Sequence, residues 1–168
     1  MNMKAYYIEA NEKLIESLQK SSEEDRMDQI ELIQDLHKYK YYAMGTWWDA
    51  LHYLLTGVSA CEPIEYSMLS EAVGGKKPFS EDEEANFISY TSAADLARIS
   101  ASLDWFSVKE VMGAFSLKDL IEHDIYPGDW KEEKESEYKK ELANAFKTLR
   151  RFYQIMVEQG EGVVVCIY

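Results

Sequence analysis

With 168 residues, 46% of them hydrophobic and 13% aromatic, the chain can enclose its own core as a single domain over 1–168. That composition excludes a disordered chain, and the length removes the need for a disulfide or metal staple. The formal net charge of −13, from 31 acidic against 18 basic side chains, repels phosphate backbones and anionic headgroups, which excludes nucleic acid and membrane surfaces as partners.

Taken in chain order, Met3–Ile8 is short, aromatic and β-branched at its end, and reads as a strand. Asn11 can cap a helix over Glu12–Lys20 with Leu14, Ile15 and Leu18 on one face. The polar run Ser21–Asp25 reads as a break before a second helix over Asp28–Lys38. Gly45 and Thr46 punctuate, and Thr46 is the expected cap of a helix over Trp47–Leu55 that Gly57 stops. This segment is apolar nearly all round, which predicts a helix buried on most sides at the centre of the fold.

Cys61-Glu62-Pro63 reads as a turn and Ser67–Val73 as a short helix ended by Gly74-Gly75. Lys76–Asn86 is the most polar stretch and reads as a loop, with a strand at Phe87–Thr91 after it. An amphipathic helix follows over Ser92–Leu103, then two short ones, Val108–Ala114 capped by Ser107 and Leu117–Glu122 capped by Ser116. Ile125–Trp130 is a turn carrying Tyr126, Pro127, Gly128 and Trp130.

The longest predicted helix is Glu132–Glu158, striped by Tyr138, Leu142, Ala145, Leu149, Phe152 and Met156. Val163–Tyr168, almost wholly apolar, then predicts a strand in the middle of a sheet. The result is a helix-rich α+β domain whose small mixed sheet joins the N-terminal strand, the C-terminal strand and Phe87–Thr91.

Candidate chemistry centres on Trp48, Asp49 and His52. On a helix Trp48, His52 and Leu55 share a face, with Asp49 and Tyr53 on the next. A half-buried imidazole beside a carboxylate or hydroxyl can act as a general base. The same imidazole can equally bond a carbonyl or a hydroxyl and hold the core together. Trp130, projecting before a long helix, is either the plug that seats that helix or, with Tyr126, a platform for a ligand.

Other groups offer less. His37, His52 and His123 lie far apart with no H-x-x-x-H or H-E-x-x-H pair, so neither a metal nor a cofactor is expected. Cys61 has no neighbouring His or Lys to activate it, and Cys166 falls in the predicted central strand. Ser59 and Ser70 lack a G-x-S-x-G setting, and Gly74-Gly75-Lys76-Lys77 lacks the spacing of a phosphate-binding loop. Two isolated cysteines suit a reducing compartment, and the first residues lack the basic-then-apolar pattern of a secretory signal. A cytoplasmic protein is expected.

The segment Trp48–Gly57, with Leu51-His52 and Leu54-Leu55-Thr56-Gly57, resembles the bacterial YfbM-like family, a domain of unknown function (DUF1877). Ile125-Tyr126-Pro127 with Trp130, and Leu149–Tyr153 leading to the terminal valine strand, extend the resemblance over essentially the whole chain. It implies a small bacterial cytosolic protein of mixed α/β or α+β fold, and it implies no substrate, cofactor or catalytic residue.

Two functions follow as expectations. One is a non-catalytic acidic binding protein that engages a basic protein partner, as small immunity proteins do. The other is a small-molecule enzyme of hydrolase type, with Trp48, Asp49, His52, Tyr126 and Trp130 around one pocket and His52 and Asp49 as its catalytic pair.

Overall fold

The fold is taken from a computed structural model that describes residues 2–82 and 87–168. Five strands form one sheet in the order β2-β1-β5-β4-β3. They are β1 (Ala5–Ala10), β2 (Tyr41–Gly45), β3 (Lys77–Pro78), β4 (Phe87–Thr91) and β5 (Gly162–Ile167). The central strand is β5, and all six of its residues are buried.

Helices cover both faces of this sheet, which explains why β5 is apolar without alternation. Successive side chains of a strand point to opposite faces. Val163, Val165 and Ile167, with Ala5 and Tyr7 of β1, enter the larger core. That core also takes in α3 (Trp48–Thr56), α4 (Met68–Gly74), α5 (Ala93–Asp104) and α8 (Glu135–Gln159). Val164 and Cys166, with Ile8 and Ala10, face a smaller core under α1 (Glu12–Lys20) and α2 (Glu23–Asp35). Two short helices, α6 (Val108–Gly113) and α7 (Leu117–Glu122), and a 3-10 turn at Glu132–Lys134 lead into α8.

The helix-rich α+β architecture is as expected, with both terminal strands and Phe87–Thr91 in one sheet. Each of the four strand pairings is antiparallel, where a mixture of both senses was expected. The β1–β2 connection shows the reason. Helices α1 and α2 fold back on one another, with Arg26 Nε donating to the Leu18 carbonyl at 2.9 Å and Ser17 Oγ 3.1 Å from Gln29 Oε1. An out-and-back pair of helices returns the chain to the end of the sheet it left, which makes the next strand antiparallel.

Other local expectations change. The acidic run at 23–25 is not a break but the first turn of α2, capped by Ser22 Oγ accepting from the Asp25 N–H at 3.2 Å. Negative side chains at a helix start interact favourably with its dipole. Thr46 does not cap α3: the N-cap position falls on Trp47, with no side-chain cap bond. Strand β2 has no counterpart in the sequence reading, and β3 lies inside the stretch read as loop; the rest of that loop, at 83–86, lies outside the described residues.

Two buried tyrosines fix α4. The Tyr7 hydroxyl donates to the Val73 carbonyl at 2.7 Å, and the Tyr153 hydroxyl donates to the Ala72 carbonyl. They satisfy carbonyls that a helix end leaves without intrahelical partners. Just beyond, Gly75 has φ of +82°, and a Cβ there would stand 2.0 Å from Ser89 Oγ. Only glycine fits this approach of α4 to β4.

Candidate functional site

Helix α3 is the buried centre that its composition predicts, with Trp48, Asp49, Ala50, Leu51, His52 and Leu54 all buried. Its C-terminus stops at Gly57, in the left-handed conformation, with the Gly57 N–H donating to the Tyr53 carbonyl. The chain then doubles back, bringing the Val58 carbonyl to 2.8 Å from His52 Nδ1. Across the ring, Nε2 lies 2.9 Å from Ser70 Oγ on α4. His52 is 1% exposed and Ser70 4%.

Proton counting assigns the tautomer. The Val58 carbonyl can only accept, so the proton of the neutral ring sits on Nδ1, and Ser70 Oγ, which accepts the Ile64 N–H at 3.1 Å, turns its hydroxyl proton to Nε2. Nε2 is therefore the acceptor, and Nδ1–H donates to Val58. Burial pushes the imidazole pKa below its ordinary value, with the Val58 bond and the charge of Asp49 pulling it the other way. His52 is a neutral ring pinned at both nitrogens.

Asp49 does something different. Its Oδ1 accepts from Ser59 Oγ at 2.9 Å and from the Ala60 N–H at 2.7 Å, while Oδ2 accepts from the Tyr126 N–H at 2.8 Å. At 1% exposure it is a buried staple joining α3 to two loops. Trp48 stacks on Tyr126 with ring centroids 5.2 Å apart, and its Nε1 donates to the Met3 carbonyl at 3.1 Å. Trp130 donates from Nε1 to the Ile125 carbonyl at 2.8 Å and packs against Trp47 and, edge-on, Tyr138. This is the plug geometry, seating the start of α8.

A cleft of about 710 Å³ opens between the α3–α4 side and the β4 edge, walled by Trp48, His52, Ile64, Tyr66, Ser70 and Phe87 among others. Trp48 and His52 thus share one opening, whereas Asp49, Tyr126 and Trp130 are not on its wall. The structure adds Ser70, which local sequence motifs pass over. A second, shallower cleft of about 530 Å³ lies beyond the 67–69 segment, lined by Met68, Leu69, Arg98, Trp105 and Phe106 among others.

Between the two clefts the chain forms a raised turn. The Ser67 N–H donates to the Ile64 carbonyl at 3.2 Å, and Tyr66, third residue of that turn, has φ of +60°. Tyr66 is 88% exposed. Of the remaining candidates, Cys166 is buried, which pushes its thiol pKa well up, and Cys61 is exposed. Lys76 is tied to Asp95 at 3.1 Å. Among the described residues, no group of three or more His, Cys, Asp or Glu side chains could hold a metal ion, and no helix is long and apolar enough to cross a membrane.

Helices on both faces of a five-stranded antiparallel sheet, with the N- and C-terminal strands paired in its interior, define the class, a helix-rich α+β protein with an apolar cleft beside its central helix. The chain belongs to the family described as domain of unknown function DUF1877, whose model matches residues 1–166. It is similar to Protein YfbM of Escherichia coli (strain K12), 32% identical over 168 residues that cover 99% of each chain. The crystal structure of YfbM from Escherichia coli, a protein of unknown function, superposes with a TM-score of 0.81 at 30% identity, covering 99% of this chain and 100% of that one.

Proposed function

We propose that this is a non-catalytic interaction protein that docks a basic partner protein, in the manner of small acidic immunity proteins acting in the cytoplasm. The observation that carries this reading is the pair of clefts with their exposed rim. Ile64, Tyr66, Met68, Phe87 and Trp105 are exposed large apolar side chains, and each lies on one or other cleft wall. Exposed apolar patches of this kind mark interaction sites, and tyrosine and tryptophan dominate binding hot spots. The net charge of −13 selects the sign of the partner and speeds its approach.

The test is affinity capture from the cell that expresses the chain, at low and at high salt. A basic protein retained at low salt and released at high salt is the expected result. Recovery of no basic protein at low salt overturns the reading.

A small-molecule hydrolase has one specific observation in its favour, the Ser70–His52 contact on the cleft wall. In that reading Ser70 is the nucleophile, His52 its base and the Val58 carbonyl the group that orients the ring. Against it, Ser70 Oγ already accepts the Ile64 N–H, and both oxygens of Asp49 are committed to loops. A serine-directed fluorophosphonate separates the two readings. Labelling that disappears in Ser70→Ala favours the hydrolase, and an unlabelled chain favours the binding protein.

A further inference from the structure

Resting on the interaction reading, we propose that the Ile64–Met68 turn is the docking surface itself, with Tyr66 as its anchor, and that its occupant is a basic amphipathic segment of the partner protein.

The backbone gives the first argument. A turn closed by a bond from the fourth residue to the first, with positive φ at the third alone, is the type II arrangement, and its third position favours glycine or asparagine. Here a tyrosine occupies it at φ +60°, with its ring in solvent. Its side chain is 88% exposed, so burial within this chain does not compensate the backbone strain. Strain of this kind persists where the surroundings over-determine it, and it gathers at ligand clamps.

The surroundings do over-determine it. Ser70 Oγ accepts the Ile64 N–H from beneath the turn, His52 Nε2 takes the Ser70 proton, and His52 Nδ1 is anchored on the Val58 carbonyl. The buried histidine therefore braces the support of an exposed aromatic side chain. A rigid anchor loses little conformational freedom on binding, which is the condition for a strong hot spot.

Charge and shape select the occupant. Ile64 and Met68 flank Tyr66 at 44% and 43% exposure, and Phe87 and Trp105 line the larger and the second cleft at 42% and 83%. An apolar side chain of the partner can enter the larger cleft, whose volume of about 710 Å³ falls in the range that encloses small ligands. Glu65 and Glu71 line that cleft and the exposed Glu62 lies in the same loop; the basic groups stand away from the turn, Lys76 paired with Asp95 and Lys77 on the far wall in β3, and Arg98 in the second cleft. The three glutamates around Tyr66, within a chain of net charge −13, match a segment of alternating apolar and basic side chains better than an acidic one.

The experiment titrates the intact chain into a fluorescein-labelled amphipathic peptide of leucine and lysine, with a leucine–glutamate peptide of the same pattern as counterpart. Three proteins are compared: wild type, Tyr66→Gly, which removes the ring while suiting the turn, and Tyr41→Ala, which trims an exposed tyrosine on edge strand β2. The lysine peptide is expected to bind wild type and Tyr41→Ala alike, with Tyr66→Gly weaker by about tenfold or more. Equal binding by Tyr66→Gly overturns the assignment of the surface and leaves the interaction reading standing. No binding of the lysine peptide to wild type, or equal binding of its glutamate counterpart, overturns both.

Discussion

His52 Nε2 and Ser70 Oγ stand 2.9 Å apart, joining the middle of α3 to the first turn of α4 across a gap of eighteen sequence positions. The contact has the distance of a nucleophile–base pair, yet each atom in it also belongs to a closed chain of bonds from the Ile64 N–H to the Val58 carbonyl. Removing one member leaves the other buried and unsatisfied. His52→Ala also opens a cavity, and it is expected to cost about 2–4 kcal/mol in urea denaturation, with Ser70→Ala costing about 1–3. The double variant should fall short of the sum by about 1 kcal/mol or more, and strict additivity contradicts the linked chain.

The same histidine sets a pH dependence. Its folded pKa lies below the unfolded value because burial opposes the charge, so the unfolded chain binds more protons as pH falls. The contribution is fully present above about pH 6.5 and is lost progressively below it, toward the depressed folded value. Asp49 is the charged group facing the ring, and it moderates the shift. Urea midpoints at several pH values are the measurement. Wild type should lose more stability than His52→Gln on acidification through this window, and parallel curves contradict the assignment.

Asp49 is expected to tolerate no amide. Each of its two oxygens faces a backbone N–H, Ala60 on one and Tyr126 on the other, so an asparagine must turn its NH₂ against one of them. Asp49→Asn should cost about 2–3 kcal/mol by denaturation, well above Ser59→Ala, which removes a single hydroxyl donor to the same carboxylate. A cost for Asp49→Asn no greater than that of Ser59→Ala contradicts the staple.

Two backbone positions should respond in opposite directions. Tyr66→Gly relieves a left-handed non-glycine residue and should stabilise the chain by about 0.5–1 kcal/mol, net of the freedom that glycine gains when unfolded. Gly75→Ala places a methyl against Ser89 at φ +82° and should destabilise by about 3 kcal/mol or more. Melting temperatures of the two variants decide. A loss of stability in Tyr66→Gly removes the argument from strain.

Where burial alone decides structure, the sequence was sufficient. The run Val163–Ile167 announces a strand covered on both faces, and Leu14, Ile15 and Leu18 after Asn11 announce α1 with its cap. Where neighbours decide, it was not. Strand β2 is held by pairing with β1 and by the stacking of Tyr42 on Tyr7, contacts from another part of the chain. The acidic start of α2 has the charge density of a solvated break, and the capping Ser22 is what makes it a helix start. At the site, His52 was legible as an odd polar group on an apolar helix. Ser70, its partner, was not, because their meeting depends on how α4 docks against α3. Asp49 had the residue type of a catalytic carboxylate, and only the positions of the Ala60 and Tyr126 amides reveal a staple.

The two tyrosines that hold the end of α4 have a kinetic consequence. Tyr7 reaches Val73 across 66 residues and Tyr153 reaches Ala72 across 81, so one wall of the larger cleft is fixed by strand β1 and helix α8 together. Contacts so distant in sequence carry a large loop-closure entropy and form slowly. This cleft wall should be among the last parts of the chain to gain protection from amide hydrogen exchange during refolding, after α1 and its local cap.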